Sequence, residues 1–167
     1  MRPSAVAQAI NLCIEAGQPV MLHGSPGVGK SDVVRQVAKQ RGIDMIDLRL
    51  SQLDPVDLRG VPSVDTAAKK TTWNAPDFLP TEGEGILFLD EINSAAQATA
   101  AAAYQLVLDR SLGDYTLPDG WSIVAAGNRA SDKAIVNQMS TALKNRFTHI
   151  QYEVNNDDWC EWALKND

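Results

Sequence analysis

The sequence predicts an α/β fold in which a doubly wound, five-stranded parallel sheet is flanked by helices. Strand-like and helix-like segments alternate along the 167 residues, as parallel strands joined by crossover helices require. Residues 85–89 form an apolar run typical of a strand that is buried on both faces. Residues 24–31 read Gly-Ser-Pro-Gly-Val-Gly-Lys-Ser and stand between a short apolar run and a helical pattern. The glycines there indicate a tight loop between a strand and a helix.

Two local patterns predict the individual elements. Helices are predicted where apolar residues recur every three or four positions, and strands where apolar residues run together. In a doubly wound sheet, ligands bind beyond the carboxyl ends of the strands, so the residues that follow strands are functional candidates. In chain order we expect a helix over 4–16, a strand over 20–23, a helix over 32–40, strands over 44–50 and 85–91, an alanine-rich helix capped by Ser94 and ending near Arg110, a strand over 122–126, a helix over 136–144 and a short strand over 148–152.

The composition is that of one folded domain, with 44% apolar and 22% charged residues. The formal charge of −6 argues against sequence-blind binding to a nucleic-acid backbone. No apolar run approaches the ~20 residues of a membrane span, so no membrane association is expected. Cys13 and Cys160 lie far apart without metal-ligand spacing. We expect both to be reduced thiols in a cytoplasmic protein.

The glycine-rich loop predicts a nucleotide and a metal together. Residues 24–31 fit the pattern G-x-x-x-x-G-K-S without deviation. Such a loop turns its backbone N–H groups, and the positive end of the following helix, toward phosphate oxygens. Lys30 can reach the β- and γ-phosphates, and the Ser31 hydroxyl can ligate Mg²⁺. The residues predicted to bind ATP are Gly24, Ser25, Pro26, Gly27, Val28, Gly29, Lys30, Ser31 and Asp32.

Acidic and amide side chains follow two of the predicted strands. Asp90 and Glu91 directly follow the apolar run over 85–89, an unusual ending for a buried strand. Beside a phosphate loop, Asp90 can hold Mg²⁺ opposite Ser31. Glu91 can orient or deprotonate the water that attacks the γ-phosphate. Asn128 follows the next long strand, where its amide could hold that water or touch the γ-phosphate; an asparagine in an ordinary turn is the alternative.

Arg146 lies between a predicted helix and the last strand. It is either a surface arginine or an arginine finger that reaches the nucleotide of a neighbouring subunit. His23 is expected to pack at the strand end beside the phosphate loop and His149 to lie in the last strand, and neither is expected to be catalytic.

Four motifs in this order resemble the AAA+ ATPases, and more closely their MoxR-like branch with its prophage-type members. The motifs are GSPGVGKS, ILFLDEI, AAGN and LKNRF. Residues 58–80 also look like that branch's insert in the second helix, and residues 111–120 look like its hairpin before the sensor strand. The resemblance implies the family's roles at these positions: Walker A at 24–31, Walker B at Asp90 and Glu91, sensor one at Asn128 and the arginine finger at Arg146.

The resemblance also implies an organisation. We expect a nucleotide-binding core over 1–154, with the insert at about 51–80 and the hairpin at about 111–120. Residues 155–167 are similar to the start of the helical lid, and the sensor-two arginine does not occur in this sequence. Family members act as rings, commonly hexamers, that remodel a partner protein. The implied partners are ATP or ADP, a client or adaptor protein and further copies of the chain.

The function predicted from the sequence is therefore an ATP-hydrolysing remodelling module, and three alternatives stay open. A nucleotide kinase shares the phosphate loop but does not need Asp90-Glu91, a strand-end asparagine and an arginine acting in trans. A nucleotide-binding module with little turnover is the second, because the lid is incomplete. A nucleic-acid motor or loader of the same superfamily is the third, and the acidic charge and the insert count against it.

Overall fold

A computed structural model describes residues 1–129, 139, 141–155 and 160 of the chain. The elements within these residues alternate between strands and helices, as the sequence predicts. In chain order they are α1 (Pro3–Glu15), β1 (Val20–His23), α2 (Lys30–Arg41), β2 (Asp44–Arg49), a 3₁₀ turn (Leu50–Gln52), α3 (Pro55–Arg59), β3 (Val61–Asp65), β4 (Lys70–Asn74), β5 (Gly85–Asp90), α4 (Gln97–Asp109), β6 (Ser111–Leu112), β7 (Tyr115–Thr116), β8 (Trp121–Gly127), α5 (Thr141–Lys144) and β9 (Thr148–Gln151).

Five strands form one sheet in the order β2-β5-β8-β1-β9, and every neighbouring pair is parallel. The predicted five-stranded parallel sheet is confirmed. The order places β8 between β5 and β1. The carboxyl ends of these three strands therefore lie side by side, with His23 of β1 opposite Gly127 of β8. The loop that follows β1 therefore lies next to the residues that follow β5 and β8, at the carboxyl ends of the strands.

Both faces of the sheet are covered, so alternate residues of a central strand enter two different cores. Val20 and Leu22 of β1 pack with α1 and α2, whereas Met21 faces the layer that contains α4. This alternation within an unbroken apolar run is what a strand buried on both faces requires. It explains why the apolar runs of the sequence, rather than polar–apolar alternation, mark the central strands.

The alanine-rich helix begins later than predicted, and Ser94 does not cap it. The helix α4 starts at Gln97, its N-cap position is Ala96, and no side chain caps it. Ser94 instead lies in a turn in which its N–H donates to the carbonyl of Glu91. The chain must first leave the sheet through this turn, because the Ile92 N–H is still bonded to β8. Glu91 is correspondingly outside β5, with a φ of +55°.

The other boundaries shift by one or two residues. The helix α2 begins at Lys30, two residues before its predicted start, because the loop glycine Gly29 directly precedes its first turn. Only Thr141–Lys144 of the predicted helix over 136–144 lies in a described helix. Met139 is described and lies outside any helix, and residues 136–138 and 140 lie outside the described residues. The predicted start of the lid also lies outside them, apart from Asn155 and Cys160.

The predicted insert contains an exposed antiparallel hairpin, β3–β4. It contacts the second hairpin, β6–β7, which occupies the region predicted for one. The backbone N–H of Trp73 donates to the carboxylate of Asp114 at 3.2 Å, and Gly113 lies beneath the Trp73 side chain. Within the described part of the chain, no helix is long and apolar enough to cross a membrane.

Candidate active site

The loop between β1 and α2 has the backbone that its glycines predict. Gly27 and Gly29 have φ values of +74° and +86°, a region that other residues rarely adopt. Gly24 approaches the end of β9 closely, since a Cβ there would lie 3.2 Å from the carbonyl oxygen of Tyr152. The helix α2 starts directly after Gly29, and no side chain caps its first N–H groups. Loop and helix together can therefore surround an anion.

Lys30 links this loop to the strand-end asparagine. Its ammonium group donates to the carbonyl oxygens of Gly24 and Ser25 at 2.9 Å each and to Oδ1 of Asn128 at 3.5 Å. The side chain is 8% exposed. A buried cation in a loop of backbone dipoles is suited to bind phosphate oxygens. Of the other predicted nucleotide-binding residues, those over 24–29, Pro26 and Val28 included, form this loop, whereas Ser31 and Asp32 lie in the first turn of α2.

Ser31 and Asp90 meet across the site. The Ser31 hydroxyl donates to Oδ2 of Asp90 at 3.2 Å, and Asp90 is 8% exposed. The second carboxylate oxygen of Asp90 accepts the backbone N–H of Glu91 at 2.8 Å. A hydroxyl and a carboxylate side by side are hard oxygen ligands of the kind that Mg²⁺ takes together with phosphate oxygens. The predicted metal-binding residues therefore fit Mg²⁺.

The carboxylate of Glu91 is held by a residue that the sequence analysis missed. The hydroxyl of Ser51 donates to Oε2 of Glu91. Ser51 lies in the 3₁₀ turn that follows β2, and the strand β2 lies beside β5 in the sheet. Because Arg49 and Asp90 are partners in the ladder, the residues just beyond them face each other. The only sequence signal for Ser51 was its position after a strand.

A second missed residue, Asn93, supports Asn128. Asn93 is 3% exposed, and its amide bonds both backbone polar groups of Asn128, at 2.8 and 3.1 Å. The predicted residues Lys30, Ser31, Asp90 and Asn128 are thus brought together at the carboxyl ends of three adjacent strands, with Glu91 next in the chain. Their catalytic roles stay predictions.

The structure does not bring Arg146 to this cluster. Arg146 is exposed and lies in the turn between α5 and β9. Thr148, two residues later, pairs with Val20 at the start of β1, whereas the phosphate loop follows the other end of that strand. Arg146 therefore lies at the amino ends of the strands, whereas the phosphate loop of its own subunit lies at their carboxyl ends. The Asp32 side chain is 80% exposed and is paired with Arg35 at 2.8 Å.

Negative charge accumulates around Asp90. Burial, followed by repulsion from Asp90, raises the pKa of Asp47 on β2, and the Arg35 and Arg49 guanidinium groups partly oppose the rise. Arg35 lies 3.4 Å from the Asp47 carboxylate. A cation bound at Asp90 would reduce this repulsion.

The two histidines form a stacked pair beside the phosphate loop. Their ring centroids are 5.1 Å apart, and Nε2 of His23 lies 2.8 Å from Nδ1 of His149. Nε2 of His149 donates to the carbonyl of Lys144 at 2.9 Å, so Nδ1 of His149 accepts and His23 donates. Burial, then the nearby His149 and Arg129, lower the pKa of His23. His23 is half-buried at the end of β1 and His149 lies in β9, where each was predicted, and together they form a hydrogen-bonded chain from β1 to α5.

We expect the stability of the fold to fall as the pH drops below the usual histidine pKa of about 6.5. The fold favours neutral His23, so below that pH the unfolded chain binds more protons than the folded chain. One proton gives a slope of at most about 1.4 kcal/mol per pH unit, and solvent at this half-buried site keeps it smaller. Urea unfolding between pH 7 and pH 5 measures this slope. His23→Gln should show a smaller slope than the parental chain, and an equal slope would contradict the assignment.

Comparison with known proteins agrees with this geometry. The sequence profile of the ATPase family associated with various cellular activities (AAA) matches residues 20–153, from the first strand of the sheet to beyond the last. The chain belongs to this AAA family. ATP binding and hydrolysis are the chemistry of the family, and the loop and the strand ends described above are the candidate nucleotide site of this domain.

Relatives match this chain over part of their own, longer chains. Midasin from Giardia intestinalis is 31% identical over 159 residues, which are 89% of this chain and 3% of midasin. The ATPase family gene 2 protein homolog B from Rattus norvegicus is 27% identical over 140 residues, 78% of this chain and 17% of that protein.

Among solved structures, a candidate ATPase from Cytophaga hutchinsonii superposes with a TM-score of 0.68 at 19% identity, over 95% of this chain and 48% of its own. NtrX from Brucella abortus, solved in complex with ADP, superposes with a TM-score of 0.60 at 17% identity, over 89% of this chain and 34% of its own. At these identities the superpositions show the AAA fold. The chain spans less than half the length of each of these four proteins.

Proposed function

We propose that this AAA domain binds ATP with Mg²⁺ and hydrolyses it, as a MoxR-like subunit of a homo-oligomeric ring that remodels a partner protein. The meeting of Lys30, Ser31, Asp90 and Asn128 at the ends of β1, β5 and β8 carries the proposal. The loop and Lys30 bind the phosphates. Ser31 and Asp90 hold Mg²⁺, which when bound neutralises charge on the phosphate oxygens.

Hydrolysis then needs a positioned water and a base. Asn128 orients the water toward the γ-phosphorus, and Glu91 takes its proton as the new phosphorus–oxygen bond forms. The bond between the γ-phosphorus and the β,γ-bridging oxygen breaks, and ADP leaves. Glu91 returns the proton to the phosphate or to solvent. Ser51 holds the Glu91 carboxylate through one of its oxygens and leaves the other oxygen able to act as the base.

The ring and its client rest on two observations. Arg146 is exposed at the sheet edge opposite its own phosphate loop, so it is available to a neighbouring subunit in a ring, commonly a hexamer in this family. The hairpin β3–β4 exposes Val61 and Val64 at 59% and 70%, which suits contact with a client or adaptor protein. The charge of −6 disfavours nucleic acid as that partner. The free thiols of Cys13 and Cys160 are compatible with the proposed cytoplasmic location.

Lys30→Ala tests the nucleotide site. We expect the Kd for ATP to rise about 10–100-fold, because a buried cation loses its charge-assisted hydrogen bonds to phosphate. Lys39→Ala is the matched control, since Lys39 is an exposed lysine in the last turn of the same helix. Isothermal titration calorimetry with ATP and Mg²⁺ measures both variants. Unchanged affinity in Lys30→Ala would refute the assignment of the site.

A further inference from the structure

Asn93 lies in the turn that leads the chain away from β5 and makes an unusual pair of contacts. Its side-chain Nδ2 donates to the backbone carbonyl of Asn128 at 2.8 Å. Its Oδ1 accepts the backbone N–H of the same residue at 3.1 Å. One amide side chain therefore bonds both backbone polar groups of Asn128, as a neighbouring strand would, and it does so in an environment where Asn93 is only 3% exposed.

This amide replaces a strand partner that the sheet itself does not supply. The parallel ladder between β5 and β8 ends with the pair Leu89 and Ala125. Beyond it, the chain turns out of β5, and the last backbone bond between the two segments runs from the Ile92 N–H to the Ala126 carbonyl. Buried backbone groups require partners. For Asn128, which directly follows β8 and is half-buried, the partner is Asn93.

Gly127 provides the space for this contact. A Cβ at Gly127 would lie 2.6 Å from Oδ1 of Asn93 and 2.7 Å from Cε of Met21, closer than side-chain carbons approach other atoms. The glycine before Asn128 and the amide that holds Asn128 are thus sterically coupled. Asn93 also shares its turn with Glu91, and that turn is closed by the bond from the Ser94 N–H to the Glu91 carbonyl.

We propose that Asn93 is a positioning residue for ATP hydrolysis. It fixes the backbone of Asn128 to the turn that carries Glu91. The Asn128 amide and the Glu91 carboxylate can then contact the same attacking water. The proposal rests on the proposed function of the site. A displaced Asn128 would no longer contact the γ-phosphate or its attacking water. The phosphate loop, which binds the rest of the nucleotide, would keep its shape. Asn93 therefore affects turnover and the response to the γ-phosphate, and it leaves ADP binding unchanged.

Two variants test the role through turnover. Asn93→Ala removes both hydrogen bonds, and the isosteric Asn93→Asp places a carboxylate oxygen against the Asn128 carbonyl. We expect kcat to fall about 10–100-fold, comparable to the loss when a residue that orients a metal ligand is removed, with the Kd for ADP unchanged. Asn11→Ala is the control. The Asn11 amide also makes two hydrogen bonds, but Asn11 belongs to α1 and not to the candidate site. Equal losses of ADP affinity and turnover in the Asn93 variants would show a merely structural role.

A double-mutant cycle with Asn128→Ala separates positioning from packing. If Asn93 acts through Asn128, the variant that carries both changes turns over ATP no more slowly than Asn128→Ala alone. If the effects on kcat multiply instead, the proposal is overturned. Gly127→Ala should lower kcat in the parental chain and do so less in the Asn93→Ala background, where the clash with the amide oxygen is gone.

Amide hydrogen exchange tests the contact without any turnover. The Asn128 N–H should be protected in the parental chain and exchange at least about tenfold faster in Asn93→Ala, since its acceptor is removed. Unchanged protection would overturn the contact. Faster exchange with an unchanged kcat would keep the contact and overturn the positioning role. Absence of ATP turnover in the assembled parental protein would overturn the proposed function and the positioning role with it.

Discussion

Glu91→Gln should retain nucleotide binding and lose turnover by about 10²–10⁴-fold, the usual contribution of a positioned general base. The amide has the size of the carboxylate and can still accept the Ser51 hydroxyl, so the turn after β5 keeps its anchor. What it cannot do is take a proton from water. The loss should therefore appear in kcat, with the Kd for ATP unchanged.

Steady-state phosphate release and ATP titration measure the two effects separately. Glu84→Gln is the matched control, because Glu84 is an exposed glutamate immediately before the other end of β5. It should hydrolyse ATP at the parental rate. If Glu91→Gln does the same, another group is the base and the role predicted for Glu91 is wrong.

The fold could be predicted because burial on both faces leaves a local signature in the sequence. The run over 85–89 contains only residues that can face a core in either direction, and all of β5 is buried. Most residues of β1 and β8 are also buried, and their alternate residues enter two different cores. The edge strand β2 is mostly exposed or half-buried, yet it was also recognised, because apolar side chains remain at Met45, Ile46 and Leu48.

Only those residues of the candidate site that belong to the phosphate-loop motif or lie at the carboxyl ends of parallel strands could be predicted from the sequence. Parallel strands bring their carboxyl ends to one edge, so the phosphate loop, Asp90 and Asn128 had to lie near one another if the sheet was parallel. The contacts from Lys30 to Asn128 and from Ser31 to Asp90 agree with that expectation. The rule does not give strand order, which decides the neighbours of each end.

Asn93 and Ser51 were missed for that reason. Ser51 bonds Glu91 across forty positions of sequence, and Asn93 bonds Asn128 across thirty-five. Neither contact follows from periodicity or motif spacing, since each depends on which strand lies beside β5. The misplaced cap at Ser94 has a related cause: a serine before an alanine-rich stretch is a good local signal for a helix start. The long-range bond from Ile92 to β8 overrides it.

Arg146→Ala should abolish turnover in an assembled ring while ATP binding persists. In phosphate-loop enzymes, an arginine supplied by a neighbour contributes about 10³–10⁵-fold to the rate by stabilising charge on the transferred phosphoryl group. The exposed position of Arg146, at the sheet edge opposite its own loop, suits such a contribution in trans. Lys144→Ala is the matched control, an exposed cation two residues earlier that should leave turnover unchanged.

Mixing two inactive variants decides whether Arg146 acts between subunits. Arg146→Ala subunits keep an intact nucleotide site, and Lys30→Ala subunits keep the arginine. In a closed ring of randomly mixed subunits at equal amounts, roughly a quarter of the sites would pair an intact loop with a neighbour's Arg146. Phosphate release should therefore recover on mixing, and specific activity should rise with protein concentration as rings form. Co-assembly is verified by sedimentation of the mixture. Rings that contain both variants yet stay inactive would show that Arg146 does not complete the site of its neighbour, because every other part of that site is present in the Arg146→Ala subunits.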